Sequence, residues 1–215
     1  MQVSRRQRRE ENIPPGFYSG LAYDSLGRFN SYWHQIEEVT RDRPARLLEI
    51  GKGNGFVNRY LAENEFDAVS VDVKYSLRPA IVADVRYLPF QDDAFDAVLC
   101  AMVLEHMVWE DAMVALRELA RVTRGRLVLS VPDRRPALRL HVGFSGLGYF
   151  DTFIGLPLPA PDRIRGVDHE WELGTSGYPV RRLTRAIREL GLKLERTWRV
   201  LRDPTCRFFV ATKGS

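Results

Sequence analysis

Cysteine is nearly absent from this chain: there are two in 215 residues, Cys100 and Cys206, each inside a strand-like apolar run and with no framework spacing between them. That excludes a disulfide scaffold and a cysteine-based metal centre. Long apolar runs are missing too. No stretch approaches the ~20 residues that a membrane-spanning helix requires. The opening "MQVSRRQRREENIPPG" begins with charge and has no apolar segment before a small-residue cleavage site, so no secretory signal is expected and the cytoplasm is the expected compartment. Charge of one sign is scarce as well. The net charge is +4, and much of it sits in Arg5, Arg6, Arg8 and Arg9. Without interleaved aromatics that run reads as a solvated tail rather than a nucleic-acid arm. There is no internal repeat, no low-complexity tract and no cluster that reads as a set of metal ligands.

What is present is an ordinary globular composition, 45% hydrophobic and 28% charged, in a length that suits one domain with one or two insertions. The expected division is a basic tail over 1–22 and a single domain over 23–215. Leu26, Phe29, Trp33, Ile36 and the residues around Val39 recur at three and four, which predicts an amphipathic helix capped by Asp24 or Ser25. Strands at 46–50, 67–72, 80–84, 95–100 and from Gly125 then alternate with helices at 55–64 and 109–122. Nearly apolar strands alternating with helices specify an α/β fold, a mostly parallel sheet with helices on both faces, whose ligand crevice lies at the strands' carboxyl ends. Glu49, Asp72, Asp84 and Cys100 all stand there. A helix carrying Val180, Leu183, Ile187 and Leu190 is ended by Gly191, and "LKLERTWRVL" and "CRFFVATK" flank "RDPT" as an antiparallel hairpin. Trp109 and Trp198 fall on core-facing positions. Between them lies a segment of about 133–177 with little periodicity, rich in glycine, proline and aromatics, of a length that is usually functional or mobile.

The chemistry starts at "LLEIGKGNGFVNRYL", from Leu47 to Leu61. Gly51, Gly53 and Gly55 form GxGxG, and Phe56 stands where the third glycine of the GxGxxG dinucleotide fingerprint would be. The GK[ST] ending of a phosphate loop is also missing. Glu49, just before the glycines, would repel a pyrophosphate and attract a cofactor that bears an ammonium group.

This stretch resembles motif I of class I S-adenosylmethionine-dependent methyltransferases, in particular the type 11 group, and the likeness continues in order over residues 20–215. It implies a Rossmann-like fold with a seven-stranded sheet whose last strand runs antiparallel, and S-adenosyl-L-methionine as cofactor. By that likeness the acid of "VSVDV", Asp72, takes both ribose hydroxyls. In "ADVRYLPFQDDAFDAVLCAMVLEHM", Asp84 accepts from the adenine amino group and the Val85 N–H meets a ring nitrogen. Cys100 and Ala101 lie under the methionine part, while Leu104, Glu105 and His106 face the substrate. Lys52 departs from the pattern by placing a cation in the turn, where its side chain should point away from the sulfonium.

The expected activity is methyl transfer to oxygen or nitrogen by in-line displacement, for which positioning supplies most of the rate. A hydroxyl acceptor would need a base, and His106, His169 or Glu170 could serve. The sequence has "CAMV" where many amino-group methylases of nucleic-acid bases carry Asn/Asp-Pro-Pro-aromatic, and it lacks the Pro-Cys pair of base-carbon methylases. A small-molecule, lipid-linked or glycan acceptor is therefore the first expectation, with an RNA methyltransferase or a non-catalytic S-adenosylmethionine-binding sensor or scaffold as alternatives. The 133–177 segment is expected to cover the site. Phe144, Leu147, Tyr149, Phe150, Phe153 and Ile154 would be its apolar lining, and Arg134, Arg135, Arg139, Arg163 and Arg165 its anion contacts or solvated charges. "VDHEWELG" is its one cluster of polar groups.

Overall fold

The structure is a computed structural model, and it describes residues 17, 18, 20, 23–146, 148–156, 158 and 168–214. Most of the expected tail lies outside the described residues, including Arg5, Arg6, Arg8 and Arg9, as do Leu147, Arg163, Arg165 and the side chains of Phe144 and Tyr149.

The first helix, α1, spans Leu26–Thr40, and Ser25 caps it by accepting from the Arg28 N–H at 3.3 Å. Strand β1 (Arg46–Ile50), helix α2 (Phe56–Glu63), and strands β2 (Asp67–Asp72), β3 (Ile81–Val82) and β4 (Phe95–Ala101) follow. Then come α3 (Trp109–Val122), β5 (Thr123–Pro132), β6 (Ala137–Phe144), β7 (Gly148–Gly155), α4 (Val180–Glu189), β8 (Leu192–Val200) and β9 (Asp203–Lys213). Seven strands form one sheet in the order β3-β2-β1-β4-β5-β9-β8. The pairings from β3 to β5 are parallel, and β9 runs antiparallel to both of its neighbours. This is the expected sheet, with the last strand reversed.

Period-two burial builds both faces. Leu48 and Val98 point to one, where Leu116 and Leu119 of α3 and Leu183 and Ile187 of α4 pack. Leu47 and Leu99 point to the other, against Tyr32, Ile36 and Val39 of α1 and Val57 and Leu61 of α2. Removing such side chains costs ~2–5 kcal/mol each. The expected stripe on α1 is only half buried: Leu26, Phe29 and Trp33 are exposed at 67%, 43% and 60%, because α1 meets the sheet mainly through its C-terminal half. The turn between β8 and β9 sits at Leu201–Arg202, earlier than the expected "RDPT", and β9 already starts at Asp203.

The segment after β5 is not irregular. Leu138, Leu140 and Val142 alternate with Arg139 and His141, and β6 and β7 pair antiparallel as a separate two-stranded hairpin. Its ends are tied to the sheet. The Asp133 N–H donates to the Thr205 carbonyl at 2.7 Å, Arg134 N–H to Leu173 carbonyl at 2.8 Å, and Leu173 N–H to Pro132 carbonyl at 2.9 Å. Asp133 is fully buried and accepts from Arg135 Nη2 at 2.7 Å and Arg207 Nε at 2.7 Å. Chain that leaves β5 therefore returns to the same strand end.

Candidate active site

At the carboxyl ends of β1, β2 and β4 a cavity of about 590 Å³ opens, within the ~300–1,000 Å³ of small-molecule sites. The glycine turn forms its floor. Gly51 has φ +82° and Gly53 φ +53°, left-handed values that favour glycine, and a Cβ on Gly51 would run into Cγ2 of Val103. The Gly51 N–H donates to the Val71 carbonyl at 2.8 Å, closing the turn against β2. Asn54 finishes it. Its Oδ1 accepts from the Phe56 N–H at 3.0 Å, taking one of the orphan donors at the start of α2, and its Nδ2 donates to Asp24 at 2.9 Å.

Glu49 lines the cavity from the carboxyl end of β1, buried, with Oε2 lacking any hydrogen-bond partner among the described residues. Burial lifts its pKa to about 8, with Lys52 pulling it down and Asp72 pushing it up. A buried acceptor without a donor, facing a cavity, fits a ligand that brings a cation with N–H groups. Lys52 is not that cation, because its Nζ donates to the Arg78 carbonyl at 2.5 Å. Asp72 stands at the end of β2, in the cavity wall, with Oδ1 accepting from the Lys74 N–H at 2.9 Å.

The structure brings together Glu49, Gly51, Gly53, Asp72, Ala101, His106 and Glu170 as lining residues. Four other expected cofactor contacts do not line the cavity. Asp84 grips Arg86 instead, accepting from Nη2 at 2.7 Å, and Arg86 reaches on to Asp111 at 2.5 Å. Val85 is buried beside it. Cys100 alternates away from the cavity into the core, where burial raises its thiol pKa. Gly55, φ +70°, serves as the N-cap of α2.

Of the expected cover, only part falls within the described residues. Among described residues of the 133–177 segment only Asp168 and Glu170 line the cavity. Phe150 and Ile154 are exposed, while Phe153 lies under the Arg199 guanidinium, 5.1 Å from the ring centroid. Arg134 pairs with Glu172, Arg135 with Asp133 and Arg139 with Asp151, so these guanidinium groups are engaged within the protein. The wall that sequence reasoning missed comes from the other end of the chain: Tyr18, Tyr23, Arg28, Tyr32 and Gln35. Arg28 stacks on Tyr23 at 3.9 Å, and Tyr32 donates to Asp24 at 3.2 Å. Tyr32 and Gln35 lie three apart on one face of α1, the only local signal of this wall.

At the far end of β4 a short turn, Leu104–His106, faces the 168–172 segment. The Glu170 N–H donates to the Glu105 carbonyl at 2.7 Å. His106 Nδ1 lies 2.7 Å from the Asp168 carbonyl oxygen, and His169 Nδ1 lies 2.6 Å from Glu172 Oε1. His106 lines the cavity, and His169 does not.

Residues 48–129 match the methyltransferase-domain family of type 11. The chain is 34% identical over 117 residues to a demethylmenaquinone methyltransferase of Mycobacterium marinum, covering 49% of this chain and 49% of that protein. It is 34% identical over 102 residues to a malonyl-[acyl-carrier protein] O-methyltransferase of Halorhodospira halophila, covering 40% of this chain and 34% of that one. The chain thus spans about half the length, or less, of these curated relatives. The fold is similar to that of a 1,6-didemethyltoxoflavin-N1-methyltransferase of Burkholderia thailandensis, solved with 1,6-didemethyltoxoflavin and S-adenosylhomocysteine (TM-score 0.64, 15% identity, 98% of this chain and 87% of that one). It is equally similar to the magnesium protoporphyrin IX methyltransferase of Synechocystis (TM-score 0.64, 16% identity, 97% and 93%).

Proposed function

We propose, from the match of residues 48–129 to a methyltransferase-domain family, that this chain is a class I methyltransferase of the type 11 group and that it transfers a methyl group from S-adenosylmethionine to a small-molecule or lipid-linked acceptor. One observation carries the reading: the buried Glu49 carboxylate, with an oxygen that has no described partner, stands in the cavity wall directly before the glycine turn. Its negative charge suits the ammonium of the cofactor's amino-acid part. Asp72 offers acceptor oxygens to a ribose diol, and the bare backbone at Gly51 and Gly53 lets the ligand approach closely. When bound, the cofactor supplies a methyl on a cationic sulfonium that is transferred by in-line displacement.

The protein's own work is positioning and exclusion of water. Tyr23, Tyr32 and Val103 wall the cavity, and His106 and Glu170 stand at its acceptor end. His106 is oriented by the Asp168 carbonyl, which can only accept, so Nδ1 carries the proton and Nε2 keeps its lone pair. That nitrogen would take the proton of a hydroxyl acceptor. His169, fixed on Glu172, positions this end without lining it. The names of the two curated relatives, one acting on demethylmenaquinone and one on a carrier-bound malonyl group, support a small or carrier-linked acceptor.

The test is transfer of labelled methyl groups from S-adenosylmethionine to an extract, with mass spectrometry of the product. Label in an extractable small molecule or lipid is expected. Binding of the cofactor without any turnover would favour a sensor or scaffold, and label in RNA would overturn the acceptor class.

A further inference from the structure

The acceptor end holds more than methyl transfer to a hydroxyl requires. Glu105 is completely buried, and neither of its carboxylate oxygens has a hydrogen-bond partner from another described residue. Burial without partners is costly for a carboxylate. One ligand atom from each of Glu105, His106 and His169 lies within 4.8 Å of the others. The two imidazole rings meet edge to face with centroids 4.9 Å apart.

Both rings are held from behind. His106 Nδ1 is 2.7 Å from the Asp168 carbonyl oxygen, and His169 Nδ1 is 2.6 Å from the Glu172 carboxylate. Glu172 is itself buried and has Arg134 Nε 3.1 Å from its other oxygen. A carbonyl or a carboxylate accepts the Nδ1 proton, which leaves Nε2 of each ring as a lone pair. Histidines that bind metals are oriented in this way, by a carbonyl or carboxylate on the other ring nitrogen. The Glu170 N–H to Glu105 carbonyl bond, 2.7 Å, clamps the two segments that carry these groups.

We infer that Glu105, His106 and His169 hold a divalent transition-metal ion through one carboxylate oxygen and two imidazole nitrogens, with a coordination position open to the cavity. Two imidazoles and one carboxylate suit zinc or ferrous iron, whereas calcium and magnesium call for oxygen ligands. The ion supplies the partner that the Glu105 carboxylate lacks. The open position would take an oxygen donor of the acceptor, and in the loaded protein His106 is a ligand rather than a base. The inference rests on the packing of these side chains and goes beyond the proposed methyl transfer.

The experiment uses untagged full-length protein stripped with a chelator and titrated with zinc by calorimetry, then with cobalt by visible absorption. One zinc per chain with a dissociation constant in the micromolar range or below is expected, together with cobalt bands of a four- or five-coordinate site. Glu105→Gln and His169→Ala should each weaken zinc at least ~10-fold, and Glu172→Gln, which weakens the rear support of His169 along with the pairing to Arg134, by roughly 10-fold. His106 is exposed, so His106→Ala removes a ligand without opening the core and keeps the test decisive where a buried variant fails to fold. Failure of the wild type to bind stoichiometric zinc, or undiminished affinity in folded His106→Ala, would overturn the site. Titration of the same samples with S-adenosylhomocysteine reports separately on the cofactor reading, so either can fail while the other stands.

Discussion

The imidazoles of His106 and His169 face each other edge to face, with centroids 4.9 Å apart. One ring follows the end of β4 and the other the chain that returns after the β6–β7 hairpin, so this contact joins two parts of the sequence more than sixty residues apart. Behind it, the 2.6 Å contact of His169 with the buried Glu172 braces the returning segment internally, while the Leu173 N–H to Pro132 carbonyl bond, 2.9 Å, ties that segment to β5.

Replacing His169 by alanine leaves Glu172 without its nearest donor. The loss of a bond to a charged, buried group is worth ~1.5–3 kcal/mol, enough to lower the melting temperature by several degrees. His169 does not line the cavity, so affinity for S-adenosylhomocysteine should be unchanged. Thermal melts and a titration of the same variant check both. A normal melting temperature would show that Arg134, 3.1 Å from the other oxygen, satisfies Glu172 without the histidine.

Glu49 gives the site a pH dependence. Its pKa is raised from 4.5 to about 8 by burial, with Lys52 and Asp72 as opposing charges. Between these values the folded protein holds a proton that the unfolded chain has released, so the stability of the ligand-free protein falls as pH rises through that window. A ligand ammonium placed against the carboxylate ionises it and expels the proton. Affinity for S-adenosylhomocysteine should therefore rise between about pH 6 and about pH 8, by up to ~10-fold per unit. Calorimetry in buffers of different ionisation enthalpy reads the released proton directly. Affinity independent of pH would place the ammonium away from Glu49.

Asp133 carries stability rather than function. Burial alone would raise its pKa, but the hydrogen bonds from Arg135 and Arg207 overcome that and hold it below 3.8. Its contribution is complete above the ordinary value and is lost as pH falls through the lowered one. Asp133→Asn should cost ~3–5 kcal/mol, read as a lower urea midpoint, because it leaves the largely buried Arg207 and Arg199 guanidinium groups without their charge partner. An unchanged midpoint would contradict this.

The parallel sheet and its glycine turn were legible because their signals are local. The α3 helix, Trp109–Val122, follows from a 3.6-residue period, and Glu49 before GxGxG states its chemistry in one strand end. The β6–β7 hairpin was missed although Leu138, Leu140 and Val142 alternate, because the glycines around its turn dominate the segment. For Asp84, nothing in a strand-end acid reveals that Arg86, two residues on, folds back onto it. Arg28, Tyr32 and Gln35 reach the cavity only through the way α1 packs on the sheet, a contact without a local pattern. The same holds for His106 and His169, which the fold alone brings together.

The most direct measurement is calorimetric titration of the protein and of Asp72→Ala with S-adenosylhomocysteine, with NAD as the comparison ligand. Saturable one-to-one binding to the wild type is predicted, weakened in the folded variant by ~1.5–3 kcal/mol, the worth of hydrogen bonds to a charged group, with no saturable binding of NAD. Saturation by NAD with no binding of S-adenosylhomocysteine, or an unchanged dissociation constant in Asp72→Ala, would contradict the account.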